Sequence, residues 1–282
     1  MIVSGGNLAK EPVQKRPRGR PRTTGSGEAS GSVKALDRAL ILLKLLAETD
    51  GLTLTGIAER TGMAPSTAYR LLSSLQGHGL VHFQDDEQRW QIGVETYRIG
   101  SAFLRRTKVA DVSRTAMRAL MEATQETVNL GVADDADVVF VSQVETHQPI
   151  RAFFRPGSRG PMHASGIGKA LLSHFPRERV ESLARIRGLQ SFTGRTITDE
   201  QTLLGELAAS RERGWALDDE ERTEGMRCIA SAIFNHFGEP VAGISISGPS
   251  VRLPDDRLAE VGEQVHAAAD GITRSIGGYR PA

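Results

Sequence analysis

The strongest constraint on this chain lies between residues 32 and 92. Three short helical patterns follow one another there, and two alternating runs then flank a polar turn. Leu36, Ala39, Leu40, Leu43, Leu46 and Ala47 recur at three- and four-residue steps. That spacing predicts a first helix, with Ser32 as its N-cap and Asp50-Gly51 as its end. Thr53 or Thr55 can cap a second helix that turns Ile57 and Ala58 inward and closes at Gly62. Pro65-Ser66-Thr67 opens a third, with Ala68, Leu71, Leu72 and Leu75 as its apolar stripe. Proline suits an early helix position because its missing N–H would have no partner there. Leu80-Val81-His82-Phe83 and Trp90-Gln91-Ile92, on either side of a polar run, read as a β-hairpin.

Three short helices and a hairpin, in that order, make a winged helix-turn-helix over residues 32–93. The outward face of the third helix carries Ser66, Thr67, Tyr69, Arg70, Ser73 and Ser74. Small hydroxyls and an arginine suit phosphates and base edges in a major groove. No Asp or Glu occurs from Ala64 to Gln84, where a carboxylate would repel phosphate. The charge distribution points the same way. Residues 1–110 hold 16 Lys and Arg against 10 Asp and Glu, and residues 111–282 hold 19 against 24, so a net +6 precedes a net −5. The basic half is the candidate for double-stranded DNA. Residues 1–31 are rich in Gly, Ser, Pro and basic side chains without apolar periodicity, which predicts a disordered tail. In it, Pro and Gly keep Arg18, Arg20 and Arg22 extended. Such a ribbon fits the narrow minor groove of A·T-rich DNA, and its Arg-Gly-Arg-Pro core resembles an AT-hook. The expected DNA contacts are therefore Arg18, Arg20, Arg22, Pro65, Ser66, Thr67, Tyr69, Arg70 and Ser73.

The 282 residues suit about two domains. With 39% apolar and 24% charged residues, the chain can bury a core and stay soluble. No run approaches the roughly 18 apolar residues of a membrane span, and the first 30 residues lack an apolar signal core, so a cytoplasmic protein is expected. The sole cysteine, Cys228, excludes an internal disulfide framework and a multi-cysteine metal site. Residues 94–110, with Tyr97, Ile99, Phe103 and Leu104, read as a linker helix of the kind that pairs between subunits. Residues 111–282 mix strands with long flanking helices and lack strict β-α-β alternation, which predicts an α+β domain with a largely antiparallel sheet. Its expected strands are Val128–Ala133, Val138–Val144, Ile150–Phe154, Trp215–Leu217, Cys228–Phe234 and Val241–Ser247.

Several segments of this second domain could carry chemistry. Gly160 to Leu172 is a glycine-containing turn into an apolar helix, either a seat for a small anion or simply a closely packed helix start. It departs from a Walker A loop, which would need Gly at His163 and Ser or Thr at Ala170. Ser245 and Ser247 alternate on a strand and share a face, where they could bind a carboxylate or satisfy each other. Asp218 opens the run Asp218-Asp219-Glu220-Glu221, which reads first as a solvated loop. Cys228, His163 and Asp218 are the residue types of a cysteine nucleophile, its base and an orienting acid. No nucleophile motif surrounds Cys228, so an enzyme with an accessory DNA module is the minor alternative. The seven histidines show no metal-ligand spacing, and no cofactor is expected.

Taken in order, these pieces resemble the IclR family of bacterial transcription regulators. The resemblance rests on Ser32 to Leu40, Gly62 to Leu72, Gly79-Leu80-Val81, Tyr97 to Gly100, Met162 to Ala170 and Gly243 to Pro249. The tail lies outside the family pattern. The resemblance implies a dimer, or a dimer of dimers, with a GAF-like α+β effector domain for small organic acids. In the glyoxylate-binding branch it implies ligand contacts at Gly166, Ile167, Asp218, Cys228, Ser245 and Ser247. A hydroxy, dicarboxylic or aromatic acid is the alternative effector.

Overall fold

A computed structural model describes residues 33–281 apart from residues 108 and 153. The chain forms two compact units, with the boundary between Thr96 and Tyr97. The first holds α1 (Lys34–Ala47), α2 (Leu54–Thr61), α3 (Pro65–Gly77) and the hairpin β1 (Val81–Gln84) and β2 (Arg89–Ile92). Its core is Leu42 and Leu46 of α1, Ile57 of α2, Ala68, Leu72 and Leu75 of α3, with Val81 and Trp90 of the hairpin. Thr53 caps α2 by accepting from the Gly56 N–H at 3.2 Å, and Gly62 ends it in the left-handed region at φ +68°. A bridge between Leu52 and Trp90 ties the start of α2 to the hairpin.

Two expectations for α1 change. The buried stripe is Leu42 and Leu46, whereas Leu36, Leu40 and Ile41 are exposed. Of the expected stripe, Ala39, Leu43 and Leu46 face the core, whereas Leu36, Leu40 and Ala47 lie on a second, exposed apolar face. The helix also stops at Ala47, three residues before Asp50, with Val33 in the N-cap position. Ser32 lies outside the described residues, as does the whole segment 1–31 with Arg18, Arg20 and Arg22.

Helix α4 (Val94–Thr107) is followed by the second unit's α5 (Val109–Thr124). Strands β3 (Thr127–Asp134), β4 (Asp137–Val144), β5 (Arg159–Pro161), β6 (Ala216–Asp219), β7 (Met226–Phe234) and β8 (Pro240–Pro249) form one sheet. Its order is β5-β4-β3-β8-β7-β6, and every neighbouring pair is antiparallel. Helices α5 and α9 (Asp255–Ser275) bury one face against Leu130, Ile229, Ile244 and Ile246. The other face packs α6 (Gly166–Leu172), α7 (Arg177–Arg187) and α8 (Glu200–Arg213) over Phe140, Ala230 and Ala232. Helix α6 lies close to the sheet because glycine faces it. A Cβ on Gly243 would come within 2.7 Å of Ile167, and one on Gly166 within 3.0 Å of the Cys228 carbonyl.

Segment 150–154 is not the expected strand: apart from residue 153, it joins no ladder. The free edge of β4 is taken by Arg159–Pro161 instead, which pairs with Asp137 to Val139. The displaced segment buries Ala152 and stacks Phe154 on Phe140 at 4.5 Å between ring centroids.

Candidate effector cavity and DNA-reading helix

The chemistry of the second unit gathers on the α6 side of the sheet. Because β6, β7 and β8 are antiparallel neighbours, Asp218 stands opposite Cys228, and Cys228 opposite Ser247. Directly opposed residues share a face, so these three project together and Ser245 joins them two residues along β8. Above the row, the Ser165 hydroxyl caps α6 by accepting from the Gly168 N–H at 3.0 Å. The N–H groups of Gly166 and Ile167 remain as first-turn donors without a partner in the helix.

These six residues, Gly166, Ile167, Asp218, Cys228, Ser245 and Ser247, line one cavity of about 560 Å³. Its remaining wall is apolar at Phe140, Ala152, Phe154 and Met226, and cationic at Arg151, Arg155, Arg159 and Arg222. Arg151 pairs with Glu145, and Arg159 with Asp134 and Asp137. Arg222 stacks on Phe192. Sequence reasoning missed this cationic and aromatic wall, because Arg151, Phe154, Arg155 and Arg222 come from loops without periodicity, and they meet Phe140 of β4 and Arg159 of β5 only through the fold.

The acidic run 218–221 is not one solvated loop. Asp218 and Glu221 are 3% and 4% exposed, while Asp219 and Glu220 are half-buried. Glu221 pairs with Lys169 of α6, itself only 1% exposed. A lysine inside the apolar helix Gly166–Leu172 was the available signal for a buried counter-charge. Asp218 Oδ1 accepts from the N–H groups of Glu221 at 2.8 Å and Arg222 at 3.3 Å. Burial, reinforced by the Glu221 carboxylate, pushes the Asp218 acid up to about 7. Burial likewise raises Glu221.

Cys228 is half-buried and lines the cavity. Burial first, and Asp218 second, push the thiol well above its ordinary range. His163 does not join it. Its Nε2 lies 3.0 Å from the Gln190 carbonyl, it lines a separate cavity of about 130 Å³, and burial lowers its pKa. A thiol held protonated without an adjacent base is a poor nucleophile. Among the described residues, no group of three His, Cys, Asp or Glu could hold a metal, and no helix is long and apolar enough to cross a membrane.

In the first unit, Pro65, Ser66, Tyr69, Arg70, Ser73 and Ser74 are exposed on α3, and Thr67 is half-buried. Pro65 occupies the first turn. Tyr69 sits edge-on to Trp90 at 6.3 Å, which sets the helix face against the hairpin.

Comparison with known proteins decides what these parts belong to. Residues 35–85 match the IclR helix-turn-helix domain, and residues 101–274 match the bacterial transcriptional regulator IclR C-terminal domain. The chain belongs to the IclR family. It is 49% identical over 260 residues to the HTH-type transcriptional regulator BhcR of Paracoccus denitrificans, covering 91% of this chain and 93% of that one. It is 39% identical over 266 residues to the transcriptional repressor IclR of Escherichia coli, covering 93% and 97%. Among solved structures, the Thermotoga maritima IclR superposes with a TM-score of 0.74 at 31% identity, covering 86% of this chain and 99% of that one. This IclR-family protein is thus a DNA-binding transcriptional regulator with an N-terminal helix-turn-helix and a C-terminal α+β domain. These relatives are named as regulators and repressors.

Proposed function

We propose that the 560 Å³ cavity binds a small organic acid, with glyoxylate the first candidate, and that binding changes the affinity of a dimer for operator DNA. The observation that carries this reading is the convergence of two serine hydroxyls, a buried aspartic acid and the start of α6 on one cavity wall. The serines and the N–H groups of Gly166 and Ile167 would hold a carboxylate. Asp218 would bond a hydrated aldehyde or hydroxyl. Two reading heads, joined through paired linker helices over residues 94–110, would place α3 in successive major grooves of a pseudo-palindrome. The tail 1–31 would add phosphate and minor-groove contacts. An acid that prefers one head spacing by about 1–3 kcal/mol would shift DNA affinity roughly 5- to 150-fold.

Calorimetry with glyoxylate on the full chain tests the sensor half. The Ser245→Ala, Ser247→Ala double variant should give no binding heat while still retarding operator DNA. Equal heat in that variant would remove the serines from the site. Deleting residues 1–31 should flatten the salt dependence of DNA binding, and an unchanged slope would show that the tail makes no phosphate contact.

One observation favours a second reading. The cavity far exceeds what a two-carbon acid fills, and Phe140 and Phe154 stack on its wall. A dicarboxylic or aromatic acid would use that space. A thermal-shift screen across acids of increasing size separates the two, since a ligand bound only by the folded state raises the melting temperature.

A further inference from the structure

The polar row on the sheet does not stop at the cavity wall. Gln143 of β4 stands opposite Asn129 of β3, and Asn129 stands opposite Ser245 and diagonal to Ser247 of β8. Neither Gln143 nor Asn129 lines the cavity. Gln143 Nε2 donates to Asn129 Oδ1 at 2.9 Å, and Asn129 Nδ2 donates to Ser247 Oγ at 3.2 Å. Ser247 in turn stands opposite Cys228 of β7. Asn129 is fully buried, and polar residues interrupt strands that otherwise read Val128, Leu130, Val132 and Val139, Val141. A buried amide in such a place stays only with its partners satisfied.

The direction of these bonds has a chemical consequence. Each amide has one donating and one accepting end, so fixing one end fixes the other. Gln143 occupies the Asn129 oxygen, and Asn129 therefore presents its NH₂ to Ser247. The Ser247 oxygen then accepts from Asn129, which leaves its single proton available to the cavity side. From the geometry we infer that Gln143 and Asn129 are positioning residues that leave the Ser247 proton for the cavity and so favour an anionic acceptor as effector. This rests on the cavity being the effector site. A carboxylate can take the Ser247 proton, whereas a group with only donors to offer leaves that proton unused.

The relay can be reversed without changing its shape. In Gln143→Glu a carboxylate can only accept, so Asn129 turns its NH₂ toward residue 143 and its oxygen toward Ser247. Ser247 must then donate to Asn129, and the cavity loses its donor. Gln143 is half-exposed, so the added charge can be solvated without unfolding the sheet. Asn129→Asp is the second route to the same reversal, because a carboxylate there accepts from both neighbours. Gln143→Met removes one bond without forcing Asn129 to turn.

Glyoxylate binding to the full chain, measured by calorimetry at constant pH, reads the outcome. Gln143→Glu should weaken binding as much as Ser247→Ala does, about ten- to a hundredfold, the range for losing a hydrogen bond to a charged group. The Gln143→Glu, Ser247→Ala pair should be no weaker than either alone, because both remove the same donor. Gln143→Met should stay within about threefold of wild type, in line with a remote neutral hydrogen bond. Additive losses in the pair, or full-strength binding in both Gln143→Glu and Asn129→Asp, would overturn the relay while leaving the cavity as the effector site. A wild-type chain that binds glyoxylate and every other short acid equally poorly would overturn the site, and the relay with it.

Discussion

The two units use the same residue types in opposite ways. On α3, serines, a tyrosine and an arginine stand in solvent, with Tyr69 resting edge-on against Trp90. On the effector sheet, serines, an aspartic acid and an asparagine are almost fully buried, and each is held by a neighbouring strand or turn. Exposed hydrogen-bonding groups await a polyanion that brings its own counter-charges. Buried ones must be satisfied internally before they can select a ligand. The reading head can therefore tolerate substitutions that change affinity but not fold, whereas the sensor couples both.

Lys169→Met should break this contrast most severely. It leaves the Glu221 carboxylate buried without its partner, and removing one member of a buried pair costs about 3–5 kcal/mol. Denaturant unfolding should show the loss in the second unit alone, with the helix-turn-helix transition unmoved. Replacing both members, Lys169→Met with Glu221→Leu, should recover most of it. A single-variant loss below about 1 kcal/mol would show that water reaches the pair, as in surface ion pairs.

Arg70→Ala comes next, at about 1–3 kcal/mol of operator affinity if the guanidinium reads a base edge. Thermal stability should be unchanged, because Arg70 is exposed. Affinity unchanged at fixed salt would take Arg70 out of the interface.

How much of each unit is legible in the sequence follows the same division. The head is local. Pro65 at the start of α3, Gly62 at the end of α2 and the alternating runs around Trp90 act within a few residues, and the element order could be read directly. The first helix misled because Leu36 and Leu40 are apolar but exposed, and periodicity alone does not say which of two apolar faces is buried. The sensor is non-local. Ser245 and Ser247 were visible as an alternating pair, but their neighbours depend on register. Asn129 lies 118 residues from Ser247 in sequence, and Lys169 lies 52 from Glu221. No short window shows that the first and last acids of run 218–221 turn inward while Asp219 reaches Arg195 and Arg227. The family resemblance supplied what spacing could not.

The third prediction sharpens the comparison through pH. Asp218 titrates near 7, because burial disfavours its charged form. An effector anion beside it disfavours that form further. Acid affinity should thus be level below pH 7 and fall by up to about tenfold per pH unit above it, with proton uptake on binding. The sign for folding agrees. A carboxyl whose folded pKa is raised favours the native state at low pH, and that contribution is lost as pH rises from about 4 through 7. Asp218→Asn should flatten both profiles. A profile as steep in Asp218→Asn as in wild type would assign the titration elsewhere.

The smallest expected effect separates two residues that the sequence leaves equivalent. Thr53 and Thr55 both precede the second helix, and either hydroxyl could cap it. The structure chooses Thr53, which accepts from Gly56 three residues on, as an N-cap must. Thr55 lies inside α2 and is exposed. Thr53→Ala should therefore cost about 1 kcal/mol in the first unit, read as a lower denaturation midpoint of the helix-turn-helix transition. Thr55→Ala should cost nothing measurable, and alanine's helix propensity could raise stability by a few tenths of a kcal/mol. Neither should alter acid binding at a cavity built wholly from the second unit. Equal losses in the two variants would mean that the helix starts later, at Thr55, and that the loop carrying Leu52 to Trp90 is held by the hairpin bridge alone.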